Sequence, residues 1–300
     1  MARTRFRGDR GLSLRMGGVS FALGALYVAF GAVLLYVMQG SALALVIVLA
    51  MAWGQWYFSD TLALKSMGAQ VVAPHQAPEL HAMIDRLCVL ADMPKPRVAI
   101  AQTDIPNAFA TGRTPAHSSV CVTTGILKRL SADELEGVLS HELAHVANRD
   151  VTVMTVASSL GLLAGFVTRW GMHLGMTRGN RNNNGGGAVA FVVVFVVSML
   201  VYALSFVLTR SLSRYRELSA DRSGAYLTGR PSQLASALVK ISGDMARIPT
   251  DDLRETGAVS AFFFAPAFNR ESVSAMFSTH PPLEKRLEQL SQISADLGEQ

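Results

Sequence analysis

The stretch that decides the fold is Ser140-His141-Glu142-Leu143-Ala144-His145, followed by Val146-Ala147-Asn148-Arg149-Asp150. Upstream of it, Ser131-Ala132-Asp133-Glu134 is a capping box: the Ser131 hydroxyl accepts from an orphan backbone amide while Glu134 reaches back. A helix therefore begins there and carries both histidines. Residues four apart share a helix face, so His141 and His145 can each aim an imidazole nitrogen at one ion, with Glu142 projecting beside them. Catalytic zinc takes three protein ligands and leaves a fourth position for water, whose pKa it lowers towards about 7. Glu142 is then the group to accept that water's proton and pass it to a departing amine. Two histidines a turn apart also occur on helices that bind nothing, so the reading turns on a third ligand.

A third histidine six residues beyond the second, preceded by glycine, would mark one class of zinc peptidase, but those positions hold Val151 and Asn148. The alternative is a carboxylate on a second helix. Glu217-Leu-Ser-Ala-Asp221 supplies it, with Asp221 one turn further along the same face, placed to accept the second ring N–H of a ligand histidine. Two imidazoles and a carboxylate suit zinc, one ion per chain.

Working outward, the composition is that of a membrane protein: 50% of the residues are apolar and 16% charged. Arg3, Arg5, Arg7, Arg10 and Arg15 precede an uncharged apolar run from 16 to 38, long enough to cross a bilayer, which needs about 20 residues. A cleaved signal peptide is the competing reading, but the run is too long and a second follows at 40 to 58, pairing with it as a hairpin. Further apolar runs lie at 151 to 167 and 187 to 208, joined by a Gly/Asn-rich loop at 177 to 187. The first of these reads as a span or as a hairpin arm that dips into the bilayer. The basic ends place the N-terminal tail (1–15) and the segment after the fourth run, with Arg210, Arg214 and Arg216, on the cytoplasmic side. The regions 59–150 and 210–300 then form one cytoplasmic catalytic domain in two parts, and 16–58 and 151–209 form the membrane part.

Within the soluble part, apolar residues at three- and four-residue spacing predict a helix over 78–91. Strands are predicted at 97–101 and 118–123, and helices through 246 and from 282 to about 290. Only two cysteines occur, Cys88 and Cys121, which excludes a four-Cys zinc site and a disulfide framework. His75, His81, His117 and His173 have no partners at metal spacing and read as surface histidines.

These residues resemble the HtpX group of bacterial membrane zinc endopeptidases, relatives of the prenyl-protein (CAAX) endopeptidases. The resemblance rests on Asn107-Ala-Phe-Ala-Thr-Gly112, Ser140-His-Glu-Leu-Ala-His145 with Asn148-Arg-Asp150, Arg216-Glu-Leu-Ser-Ala-Asp221, and Ser278-Thr-His-Pro-Pro282 with Arg286. It implies that His141, His145 and Glu217 hold zinc and that Glu142 is the catalytic base. It further implies that Asn107, Ala108, Phe109 and Ala110 form a substrate-binding edge strand, that His280 steadies the oxyanion, and that Arg286 supports the site. The chain departs from the commonest pattern in its Gly/Asn-rich loop and in Phe262-Phe-Phe264.

The fold class expected is thus a mainly α membrane protein with an α+β catalytic domain of gluzincin type, four apolar membrane segments and a small edge sheet. The function expected is proteolysis of misfolded or unassembled membrane proteins at the cytoplasmic face of a bacterial inner membrane. Its partners are polypeptide substrates and the lipid bilayer; the net charge of +5 comes mostly from Arg flanking apolar runs, which fits a membrane surface better than nucleic acid. A narrow processing peptidase and a non-catalytic metal-binding scaffold are the alternatives. A transporter is disfavoured because no charged residue lies inside an apolar run.

Overall fold

The structure, a computed structural model of the full chain, describes residues 10–37, 46, 50, 53–54, 56–161, 164–165, 185–245 and 281–298. Among them the elements are α1 (Arg10–Val37), α2 (Ser59–Ser66), β1 (Ala69–Val71), α3 (Pro78–Ala91), β2 (Arg97–Ala101), β3 (Ala108–Thr114), β4 (His117–Thr123) and α4 (Thr124–Arg129). They continue with α5 (Ala132–Ala147), α6 (Gly185–Thr228), α7 (Pro231–Met245) and α8 (Leu283–Leu297). A further helical stretch covers 150–161. The chain divides into two compact units, one of residues 1–13, 57–152 and 213–300, the other of 14–56 and 153–212.

The first unit is built on a four-stranded sheet in the order β1-β2-β4-β3, parallel between β2 and β4 and antiparallel in the two outer pairs. Strand alternation sends Val98, Ala108, Val120 and Val122 to one face. There they meet Ile84 of α3, Val138, Leu139 and Leu143 of α5, Leu234 and Leu238 of α7, and Leu290 and Ile293 of α8. Ala99, Ala101, Phe109 and Cys121 point the other way, onto Ala63 and Leu64 of α2. Both faces are covered, which is why β4 is buried at every residue from Ser118 to Thr123. β3 is an edge strand of the sheet among the described residues.

Local chemistry sets the helix ends. Glu134 N donates to the Ser131 hydroxyl at 3.3 Å, and Ser131 N donates to the Glu134 carboxylate at 2.9 Å, so α5 starts at the capping box. The helical pattern expected through 246 is interrupted: Gly229 adopts φ 68°, and Pro231 opens α7 at a position where a missing N–H costs nothing. β1 and the far half of β3 carry no strand signal strong enough to read alone, and α8 runs seven residues beyond the expected 290.

In the second unit Leu23 and Phe30 of α1 pack with Ala157, Leu160 and Ala164 and with Val201 of α6. The Tyr27 hydroxyl bonds to Ser159 and donates to the Val156 carbonyl. Phe21, Val28, Val193 and Leu204 stand exposed, a surface suited to lipid. Among the described residues two helical segments are long and apolar enough to cross a membrane, Gly11–Val33 and Val192–Thr228, where the sequence predicts four spans. The run at 40–58 lies mostly outside the described residues. That at 151–167 is described as helix over 150–161 and again at 164–165.

One histidine reading is corrected. His81 is buried, its Nε2 paired with the Val72 carbonyl at 3.1 Å, because the α3 face that carries it closes on the chain after β1. His75 and His117 are exposed as expected, and His173 lies outside the described residues.

Candidate metal centre

His141 and His145 sit one turn apart on α5, and Glu217 and Asp221 one turn apart on α6. The two helices approach closely because Gly224, one turn beyond Asp221, presents no side chain to the turn of α5 at Ser140 and His141. The imidazole Nε2 atoms of His141 and His145 lie 3.1 Å apart, their rings nearly perpendicular. Glu217 faces both, its carboxylate oxygens 3.7 Å from His141 Nε2 and 3.4 Å from His145 Nε2. One ligand atom from each of the three falls within 4.8 Å of the others.

Each histidine is turned this way by a carboxylate behind it. His141 Nδ1 is 2.8 Å from Asp221 Oδ1, and Asp221 is gripped by Arg286 through Nε and Nη2, both at 2.7 Å. His145 Nδ1 is 2.5 Å from Asp150 Oδ2, and Asp150 is ion-paired with Arg216. With a carboxylate behind each Nδ1 atom, both Nε2 atoms converge on one point together with the Glu217 carboxylate. Two imidazole nitrogens and a carboxylate oxygen so close together fit a divalent ion that accepts two nitrogens and an oxygen, as zinc does.

The electrostatics of the two histidines differ. Burial pushes the His141 imidazole down to about 4, which keeps it neutral and able to ligate. Burial also lowers His145, but the bond and charge of Glu217 and the charge of Glu142 outweigh it and hold His145 above its ordinary value. Glu142 is buried too, and its carboxyl is lifted to about 7, mainly by burial; the charge of His145, the Ala110 backbone N–H and the charge of Arg286 act in the other direction. A carboxyl titrating near 7 suits a group that takes and returns a proton at physiological pH.

Glu142 is thus tied to the edge strand through Ala110. Asn107, which precedes β3, is fully buried; its N–H donates to the Thr123 hydroxyl and its carbonyl accepts from Thr123 N, both at 2.9 Å, so the entry to β3 is pinned to the end of β4. Ala108 packs into the core beneath α5, and Phe109 points to the opposite face against α2. His280 lies outside the described residues, as do residues 177–184 of the Gly/Asn-rich loop expected at 177–187 and Phe262 to Phe264; residues 185–187 are not loop but the first turn of α6.

Sequence reasoning assigned no role to Asp150 and Arg216. A signal was present: Asp150 follows His145 by five residues, and the intervening Arg149 adopts φ 55°, the left-handed turn that swings Asp150 back to the histidine. Arg216 also donates to the Asn148 carbonyl at 3.1 Å, which fastens that turn.

Comparison with known proteins agrees with this geometry. The family model of peptidase family M48 matches residues 74–294. Protease HtpX homolog 1 of Streptomyces coelicolor is 53% identical over 297 residues, covering 99% of this chain and 97% of that protein. A protease HtpX homolog of Moorella thermoacetica is 50% identical over 303 residues, covering 99% of each. The crystal structure of S. mikatae Ste24p matches 93% of this chain and 65% of its own with a TM-score of 0.56 at 16% identity, a likeness of fold. The chain therefore belongs to peptidase family M48, and within it stands with the HtpX membrane metalloproteases.

Proposed function

We propose that this metalloprotease is a zinc endopeptidase that hydrolyses misfolded or unassembled membrane proteins at the cytoplasmic face of a bacterial inner membrane. The observation that carries it is the convergence of His141, His145 and Glu217, with the buried carboxyl of Glu142 beside them and bonded to the edge strand. These three residues would hold one Zn²⁺. When bound, zinc supplies Lewis acidity that brings the pKa of water down to about 7 and polarises a carbonyl oxygen.

The chain's own residues do the rest. Glu142 takes a proton as water adds to the substrate carbonyl and returns it to the departing amine. Asp221, held by Arg286, fixes the His141 ring. Residues 107 to 110 offer a backbone edge to which an extended substrate adds as a further strand, so recognition is by main chain and accepts many sequences. His280, three residues before α8, is the candidate donor to the oxyanion.

The membrane setting is supported by the sequence around the site. Glu217 follows the last apolar run by about nine residues in the sequence, so substrates in or near the bilayer are the natural ones. The arginines before α1 and those at 210, 214 and 216 favour the cytoplasmic side for both ends of the membrane part. The test is a purified full-length Glu142→Gln protein: it should keep its zinc and lose cleavage of a denatured membrane-protein substrate by about 10²- to 10⁴-fold. Cleavage at the wild-type rate would sink the proposal.

A further inference from the structure

The proposed reaction uses only the carboxylate behind His141. The other histidine, His145, has its own, and we infer that Asp150 and Arg216 act as a positioning pair: Asp150 keeps the proton of His145 on Nδ1, and Arg216 keeps Asp150 turned to receive it. This rests on the metal centre proposed above and extends it to the second ligand.

The geometry is specific. His145 Nδ1 and Asp150 Oδ2 are 2.5 Å apart, while the other carboxylate oxygen, Oδ1, faces Arg216 Nη2. Asp150 is 6% exposed and Arg216 5%, so the pair is largely shielded from water. Arg216 is the residue before Glu217 on α6, and its second contact, to the Asn148 carbonyl, fixes the turn from which Asp150 projects. One helix thus carries a ligand facing the imidazoles, Glu217, and the cation that orients the acid behind His145. The arrangement parallels that at His141, where Asp221 lies between the imidazole and Arg286.

A guanidinium has donors only, and this decides how the pair works. An aspartate offers an acceptor oxygen to Arg216 and another to His145 at once. An asparagine at 150 has one oxygen, which Arg216 would claim, turning the amide NH₂ towards His145 Nδ1. The imidazole would then carry its proton on Nε2, the atom that must be bare to bind a metal. Asp150→Asn therefore keeps the shape and inverts the tautomer. Removing Arg216 as well frees the asparagine to turn its oxygen back to His145.

The experiment measures the zinc dissociation constant of the full-length, detergent-solubilised protein by competition with a chromophoric chelator. Asp150→Asn should weaken zinc by about 10- to 100-fold, the usual loss when a histidine ligand's outer partner is changed. The double variant Asp150→Asn with Arg216→Met should bind zinc more tightly than Asp150→Asn alone. A merely structural pair would give the opposite order, because the second change would add damage. Zinc binding by Asp150→Asn within about threefold of wild type, or a double variant weaker than the single one, overturns the inference. His145→Ala tests the underlying centre separately: if it keeps one zinc per chain at wild-type affinity, the ligand set itself is wrong.

Discussion

Gly224 of α6 rests on the turn of α5 that carries His141: a methyl group on Gly224 would lie 2.8 Å from the Ser140 hydroxyl oxygen and 3.0 Å from the His141 amide nitrogen. The hydroxyl cannot easily yield, since it donates to the Gly137 carbonyl at 2.7 Å. The crossing that delivers Glu217 and Asp221 to the two histidines therefore requires glycine here. Gly224→Val should cost about 1–3 kcal/mol by overpacking and weaken zinc binding with it. Gly243→Ala, where nothing lies within 4 Å of the added methyl, should be neutral or stabilising by about 0.5–1 kcal/mol. Thermal melting of the two full-length variants separates the cases.

Arg286 is 1% exposed and completes a bidentate pair with Asp221. Its removal leaves a buried carboxylate without its counter-charge. Arg286→Met should destabilise the protein by about 3–5 kcal/mol. The exposed neighbour Lys285, changed to Met, should move stability by no more than about 0.5 kcal/mol. Denaturant titrations followed by far-ultraviolet circular dichroism check both.

Glu134 links the start of α5 to α7. Burial alone would raise its carboxyl, but the bonds from Lys240, Ser236 and Ser131 outweigh it and bring the group to about 2. A carboxyl depressed in the folded state contributes stability that is complete above its unfolded value of about 4.3 and is lost as pH falls towards about 2. Stability of the wild type should therefore decline between pH 4.5 and 2 more steeply than that of Glu134→Gln. The two curves, measured by urea unfolding at each pH, should converge at the acid end.

Chelation of the metal should lower the melting temperature, because an ion held only by the folded chain stabilises it by mass action. Free zinc at about 100 times its dissociation constant should restore about 2.7 kcal/mol. Glu142→Gln should respond to zinc like the wild type, and Glu217→Ala should not. A melt of Glu217→Ala that zinc still shifts fully would remove that residue from the ligand set.

Cys88 and Cys121 are buried, and burial pushes their thiols up to about 11 and about 12 respectively. At pH 8 they are protonated and covered. Neither should be alkylated by iodoacetamide in the native protein, and both should react once it is unfolded, as read by intact mass.

Several elements were legible because their causes are local. Residues 78–91 form α3 as the apolar spacing predicts, since Pro78 fits the first helical turn and Asp92 closes the helix in a left-handed conformation. Residues 97–101 form β2, and the capping box at Ser131 starts α5. β1 was not legible: three residues, Ala-Gln-Val, have no pattern of their own and are strand only because β2 offers them a partner. The burial of His81 depends likewise on a carbonyl nine residues away.

The sequence by itself determined that two histidines share one helix face with a glutamate between them, that a second helix carries Glu217 and Asp221 in phase, and that arginine-flanked apolar runs tie the chain to a membrane. Those are properties of helical periodicity and composition, which need no knowledge of the fold. Only the tertiary structure decided which acid supports which histidine. Asp221 and Asp150 were both within reach in the chain, and the assignment followed from where Gly224 lets α6 cross α5 and where Arg149 turns the backbone. Arg216 acquired its role, and Arg286 its partner, only there, because a buried guanidinium must find its carboxylate and sequence spacing does not say which.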